Sequence, residues 1–474
     1  MKKYDLIVVG GGAGGLTVAA GAASLGANVA LVEKRDDLGG DCLHFGCVPS
    51  KALIEAANEV YHARNVQAYG IHASGEVDLK AINDRVKASV DHIQEHDDID
   101  RFKELGIDVY LGGASFATDH EIQVEGHENI YGKRIVISTG SRPNVPSIEG
   151  LEETGYITNE SAFNLEQLPQ KLVFIGGGPI GLELAQAYSR LGSEVTVLEA
   201  GPHLLGKEDQ DIQNTAQSML EQELNVITNA RVSKTSRHDE KNYVHYTIGD
   251  EDHVIEADQI FLAVGRKPNT DNLQLENTGV EMDEKGHVKV DDTLRSSVPH
   301  IFAVGDVNGG LYFTHVAGYE GKTVVQNALY GLKRKVSYDN IPWNTYTTPE
   351  IFHYGLTQKK AQVKHGDVMI YKTELDQVDR FVADHATNGF IKIITDTKGN
   401  IVGAHAIGKG AGDWMQVVVL AVEKGMKIGD LSNMIYPYPN HTASIENASN
   451  QYWRAKLFNG VIPKLSKTFI RWFR

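Results

Sequence analysis

Cys42 and Cys47 are the only two cysteines in the chain, and they lie in Gly39-Gly-Asp-Cys-Leu-His-Phe-Gly-Cys-Val-Pro-Ser-Lys51. Gly46 permits a sharp turn between the sulfurs, and Pro49 suits the first turn of a helix, so the pattern places Cys47 at or just before a helix N-terminus. A thiol there ionises more readily, which makes it both a nucleophile and an electron donor. The pair reads as a redox couple. Two alternatives stay open: small buried residues in a glycine-rich loop, or half of a metal site that no further cysteine completes.

The elements that must carry these sulfurs are announced by glycine. Leu6-Ile-Val-Val9 reads as a buried parallel strand, and Gly10, Gly12 and Gly15 follow it with Gly-x-Gly-x-x-Gly spacing ahead of an Ala-rich helix. A second strand, Asn28 to Glu33, ends in the carboxylate expected to hold a ribose, 23 residues after Gly10. The unit recurs 166 residues later: Leu172-Val-Phe-Ile175 leads into Gly176, Gly178 and Gly181, and the next strand ends at Glu199, again 23 residues beyond the first glycine. Two copies with matching acidic ends predict two dinucleotide sites. Glu199 accepts from a free 2′-hydroxyl and repels a 2′-phosphate, and no arginine follows closely to compensate, which favours NADH over NADPH.

Two further strands end in the same way. Ile135 to Thr139-Gly140 and Ile260 to Gly265 each run into a Pro-Asn turn, and both read as crossovers between domains. Ile301-Phe-Ala-Val-Gly305 exits onto Asp306, which is read as a flavin ribityl contact, with a simple cap as the alternative.

A chain of 474 residues with a formal charge of −16 predicts about three domains and argues against nucleic acid as a partner. The start, Met-Lys-Lys-Tyr-Asp, precedes too short an apolar run for a signal peptide, and two cysteines suit a reducing compartment, so a cytoplasmic location is expected. The last 19 residues, 456–474, hold five basic residues and no acidic one. Val461, Leu465, Phe469 and Trp472 recur there at helical spacing, with Lys464, Lys467, Arg471 and Arg474 elsewhere around the helix. The tail suits either an anionic membrane surface or a terminal helix packed on a dimer.

Taken together, these residues resemble the FAD-dependent pyridine nucleotide-disulfide oxidoreductases, the group of dihydrolipoyl dehydrogenase, glutathione reductase and mercuric reductase. The likeness includes the Cys42 to Cys47 segment, both glycine loops, Gly305-Asp306, and Tyr346-Thr-Thr-Pro-Glu-Ile351 with Tyr354-Gly-Leu-Thr357. It implies an α/β fold with two Rossmann-like FAD- and NAD-binding domains plus an α+β dimerisation domain, assembled as a homodimer. The implied boundaries are 1–150 and 270–340 for FAD, 151–269 for NAD, 341–455 for dimerisation and 456–474 for the tail.

The resemblance also implies roles. Cys47 becomes the flavin-side sulfur and Cys42 the interchange thiol. Lys51 pairs with Glu183 near the flavin, Ala114 offers a backbone contact to the adenosine of FAD, and Thr139, Gly140 and Gly265 line cofactor. Pro179 replaces the tyrosine that gates the nicotinamide pocket in several relatives. The C-terminal His-Pro-Thr-x-x-Glu pattern is broken: the ungapped register puts Tyr438 and Ala443 where its histidine and glutamate belong, whereas a shifted one offers His441 with Glu446. The implied activity is NADH-dependent reduction of a small disulfide or other acceptor. Alternatives are dihydrolipoyl dehydrogenase, a mercuric reductase-like protein without the C-terminal thiol pair, and a redox sensor without turnover.

Overall fold

The computed structural model describes residues 1–458 and 461–473. The chain gathers into two compact units: residues 1–176, 187–198 and 230–338 in the first, residues 177–186, 199–229 and 339–474 in the second.

The first unit is organised by a five-stranded parallel sheet in the order Ile301–Ala303, Ile135–Ile137, Leu6–Val9, Val29–Glu33 and Ile107–Leu111. Its central strands are apolar throughout because both faces are covered. Leu6 and Val8 turn to one core with Leu16, Ala19, Val324 and Val325, while Ile7 and Val9 turn to the other with Phe116, Ile122 and Ile301. Residues of the helices Ala13–Ser24 and Thr314–Tyr330 fill the first of these cores. The second glycine unit follows the same plan, with Lys171–Ile175 paired in parallel to Glu194–Leu198 and to Gln259–Leu262.

The crossovers expected at Gly140 and Gly265 form a small antiparallel ribbon, Ser141–Pro143 against Arg266–Pro268. Asn269 ties it down: its side-chain amide donates to the Thr139 carbonyl at 2.9 Å, and its backbone N–H donates to the Gly140 carbonyl at 3.0 Å. Ala114 opens the short strand Ala114–Phe116, which pairs with Glu121–Val124.

The second unit is built on an antiparallel sheet ordered Trp343–Thr345, Glu350–Gly355, Ile401–Gly408, Phe390–Asp396 and Val368–Glu374. One face is apolar: Phe352, Tyr354, Ala404, Ala406, Ile391 and Ile393 form a core with Trp414, Ile445 and Tyr452. The alternate residues on the same strands include His353, His405 and Lys392, all buried. No helix among the described residues is long and apolar enough to cross a membrane.

Candidate active site

Each glycine loop is held by the carboxylate its strand supplies. Gly11 N–H donates to Glu33 Oε2 at 2.6 Å, and Arg35 N–H donates to the other oxygen at 3.0 Å. Gly177 N–H and Gly201 N–H hold Glu199 in the same way, at 2.7 and 2.6 Å. The repeat visible as spacing therefore extends to hydrogen bonds. No side chain caps the helix that begins after Gly12, so its first amides are available to an anion. Gly15 is required by space: a Cβ there would lie 1.9 Å from the Gly10 carbonyl oxygen and 2.7 Å from Ser138 Oγ.

The two cysteines lie on consecutive helices, Gly40–His44 and Cys47–Arg64. Cys47 is the first residue of the longer helix, as expected, and Gly46 caps it. Gly46 has φ −118°, so close approach rather than left-handed backbone excludes a side chain: its Cβ would meet the Asp41 carbonyl oxygen at 2.9 Å. Asn159, buried, donates to the Phe45 carbonyl at 2.9 Å and pins the loop between the sulfurs. A hydrogen bond with Cys47, together with burial, holds the Cys42 thiol above the ordinary thiol range. Cys47 is the more exposed of the two and stands at the helix N-terminus, a position that favours a thiolate. Cys47 Sγ lies 3.6 Å from Thr314 Oγ1 at the start of another helix.

Four separated segments converge beside the thiols. Arg266 reaches Asp41 Oδ2 at 3.0 Å and Asp306 Oδ2 at 3.6 Å, and its Nε–H donates to Ser141 Oγ at 2.6 Å. Ser141 in turn donates to Asp306. Burial pushes the Asp306 carboxyl up, partly offset by the Ser141 hydrogen bond and the Arg266 charge. Asp41 Oδ1 is buried with no hydrogen-bond partner among the described residues. These residues fit FAD: the glycine loop presents amides suited to a pyrophosphate, and Asp306 and the unsatisfied Asp41 oxygen present acceptors suited to hydroxyls. Arg266, Ser141, Asp41 and Thr314 went unnoticed in the sequence. The one available signal was the arginine directly after Gly265.

Lys51 lies half-buried one turn into the cysteine helix, in the first unit. Glu183 is buried in the second unit, where its Oε1 accepts the Tyr346 N–H at 2.8 Å. The C-terminal candidates each find an aspartate. Tyr438 is 81% exposed and donates to Asp379 Oδ2 at 2.8 Å. His441 Nε2 lies 3.0 Å from Asp384 Oδ2, with its ring packed on Phe381. The carboxylate that orients His441 is thus Asp384 and not the Glu446 suggested by the shifted register.

Comparison with known proteins agrees with this geometry. Residues 4–321 match the family model for pyridine nucleotide-disulphide oxidoreductase, and residues 341–449 match that family's dimerisation domain. A mercuric reductase of Staphylococcus aureus is 38% identical over 92% of this chain and 80% of its own length. Dihydrolipoyl dehydrogenase of Bacillus subtilis is 34% identical over 92% of this chain and 94% of its own. Among solved structures, the Cu(II) complex of the HOCl-induced flavoprotein disulfide reductase RclA from Escherichia coli superposes with a TM-score of 0.85, at 29% identity over 95% of this chain and 100% of that one. The dimerisation domain supports a homodimer, and the family uses FAD and NAD(P)H. With its thiol pair, paired glycine loops and flavin-fitting cluster, the chain belongs to the pyridine nucleotide-disulphide oxidoreductases and is an FAD-dependent disulfide reductase of that family.

Proposed function

We propose that the protein uses NADH to reduce a small disulfide, with Cys42 as the interchange thiol and Cys47 as the flavin-side sulfur. The observation carrying this reading is the asymmetry of the pair: Cys42 is partly buried, with its thiol pushed above the ordinary range by the hydrogen bond with Cys47 and by burial, whereas Cys47 is exposed at the helix N-terminus. Bound FAD supplies the two-electron path between nicotinamide and sulfur. The protein's own residues do the rest. Glu199, fixed by two amides, favours the free 2′-hydroxyl of NADH over a 2′-phosphate. NADH and one proton become NAD⁺ as the Cys42–Cys47 bond takes up two electrons and opens to two thiols. Cys42, once deprotonated, attacks the acceptor disulfide, forms a mixed disulfide and expels one acceptor thiolate, which takes up a proton. Cys47 then attacks Cys42, re-forms the internal bond and releases the second thiol.

Anaerobic reduction with one equivalent of NADH, followed by addition of lipoamide, glutathione disulfide, Hg(II), Cu(II) or a quinone, tests the reading. Reoxidation by a disulfide, with NADH outperforming NADPH by at least about tenfold in kcat/KM, is the expected result. Reoxidation by the metal ions alone would favour a second reading, reduction of thiophilic cations. That reading draws on relatives named as mercuric reductases and on the Cu(II) complex of RclA. The absence of any cysteine beyond Cys47 weighs against it, since soft ions are best delivered by further thiolates. No reoxidation by any of them would favour a redox sensor.

We further propose that the C-terminal helix Val461–Trp472 rests on an anionic membrane surface. Leu465, Phe469, Ile470, Trp472 and Phe473 are all more than half exposed, and Lys467 and Arg471 accompany them. Arg474 and the side chains of Val461 and Lys464 lie outside the described residues. Apolar exposure beside basic charge suits an interface of headgroup and acyl chain. Removing residues 456–474 is expected to abolish cosedimentation with phosphatidylglycerol vesicles at low salt. Equal pelleting of both forms sinks the idea.

A further inference from the structure

The polar face of the second unit's sheet holds a cluster that the disulfide chemistry does not use. Strand register sets His353 directly opposite His405, and His405 opposite Lys392, so three buried polar side chains stand in a row across three strands. Facing them is the segment Glu208-Asp209 at the start of the helix Gln210–Leu220. Lys392 is neutralised by Asp209 and Asp211, each at 2.7 Å. That leaves Glu208, His353 and His405, whose candidate ligand atoms all lie within 4.8 Å of one another.

Their hydrogen bonds are arranged as in a ligand set. His353 Nε2 donates to the Gly355 carbonyl and His405 Nε2 to the Leu356 carbonyl, both at 3.0 Å. Each bond fixes the ring and turns its Nδ1 inward, which is how metal-bound histidines are commonly oriented. Trp343 Nε1–H donates to Glu208 Oε1 at 2.6 Å, leaving Oε2 turned toward His353 Nδ1 at 2.8 Å. His405 Nδ1 is buried with no hydrogen-bond partner among the described residues, in a residue with no exposed surface. An orphaned lone pair in such a place is costly unless a ligand takes it.

We propose that Glu208, His353 and His405 form a binding site for one divalent transition-metal ion of the imidazole-preferring kind, separate from the thiol pair. Two nitrogens and a carboxylate oxygen are a ligand set that zinc accepts, with a fourth position left open. Binding displaces the proton between Glu208 and His353, and the 2.8 Å hydrogen-bond spacing opens to the roughly 3.3 Å that neighbouring ligands keep on a tetrahedral ion. Second-strand and third-strand histidines are thereby tied to the Glu208 segment.

Zinc retention by the full-length, flavin-loaded protein tests this. Cys42→Ser with Cys47→Ser serves as the parent, because the thiols themselves take up zinc. After chelator treatment, a slight excess of zinc chloride and desalting, the parent is expected to keep about one zinc per chain. His405→Gln in that background is expected to lose at least about tenfold in affinity, whereas His120→Gln, which breaks a second cluster formed by Asp119, His120 and His300, changes nothing. No retained zinc in the parent, unchanged retention in His405→Gln, or loss in His120→Gln would each overturn the proposal. Should His405→Gln fail to keep its flavin, Co(II) added to the parent decides: a tetrahedral d–d absorption band is required, and its absence counts against the site.

Discussion

Cys42→Ser is expected to lower disulfide reductase turnover by at least about 10³-fold, while NADH still reduces the flavin at an unchanged rate. The serine hydroxyl cannot attack a disulfide, yet Cys47 keeps its place at the head of the helix Cys47–Arg64. A long-wavelength thiolate-to-flavin absorption band should therefore survive Cys42→Ser and vanish in Cys47→Ser. The opposite pattern would exchange the two roles. The same asymmetry gives a pH dependence. Only a thiolate attacks a disulfide, and the Cys42 thiol is held above the ordinary thiol range by its hydrogen bond to Cys47 and by burial. The attacking fraction is therefore small at neutral pH and grows as pH rises toward that raised value. Reaction of the reduced enzyme with a small disulfide should climb about tenfold per pH unit between roughly pH 6 and 9. A plateau below about pH 7 would instead mark an imidazole base, and its loss in His441→Gln would identify which one.

Gly15→Ala should yield protein without flavin or no soluble protein. The added methyl meets two atoms that cannot move aside: the Gly10 carbonyl oxygen and Ser138 Oγ, which itself donates to that carbonyl at 2.9 Å. Overpacking of this kind costs about 1–3 kcal/mol or more, and here it also shifts the loop that carries the anion-binding amides. Gly12→Ala is the informative contrast. The nearest atom to its Cβ is Gly40 Cα at 3.8 Å, an ordinary contact, so this variant should fold and lose only flavin affinity. Circular dichroism and the flavin-to-protein absorbance ratio distinguish the two. Full flavin occupancy in Gly15→Ala would refute the packing argument.

What could be read without coordinates was local. The glycine loops, the strands before them and the carboxylates 23 residues later are set by short-range requirements: a tight turn, close backbone approach and a parallel strand buried on both faces. Cys42 and Cys47 were legible for the same reason, since a glycine and a proline within a few residues are enough to start a helix at the second sulfur.

What could not be read depends on contacts between distant segments. Arg266, Asp41, Ser141 and Asp306 share one charge cluster, although they come from four parts of the chain. The shifted register pairs His441 with Glu446, five residues away, whereas its Nε2 lies 3.0 Å from Asp384 Oδ2, 57 residues away in the chain. His353, His405 and Lys392 became neighbours only through antiparallel register, and they face Glu208 and Asp209, 145 residues before His353 and 183 before Lys392 respectively. Backbone geometry is encoded within a few residues; which charges and lone pairs meet is settled by strand pairing and burial, which no short stretch of sequence contains.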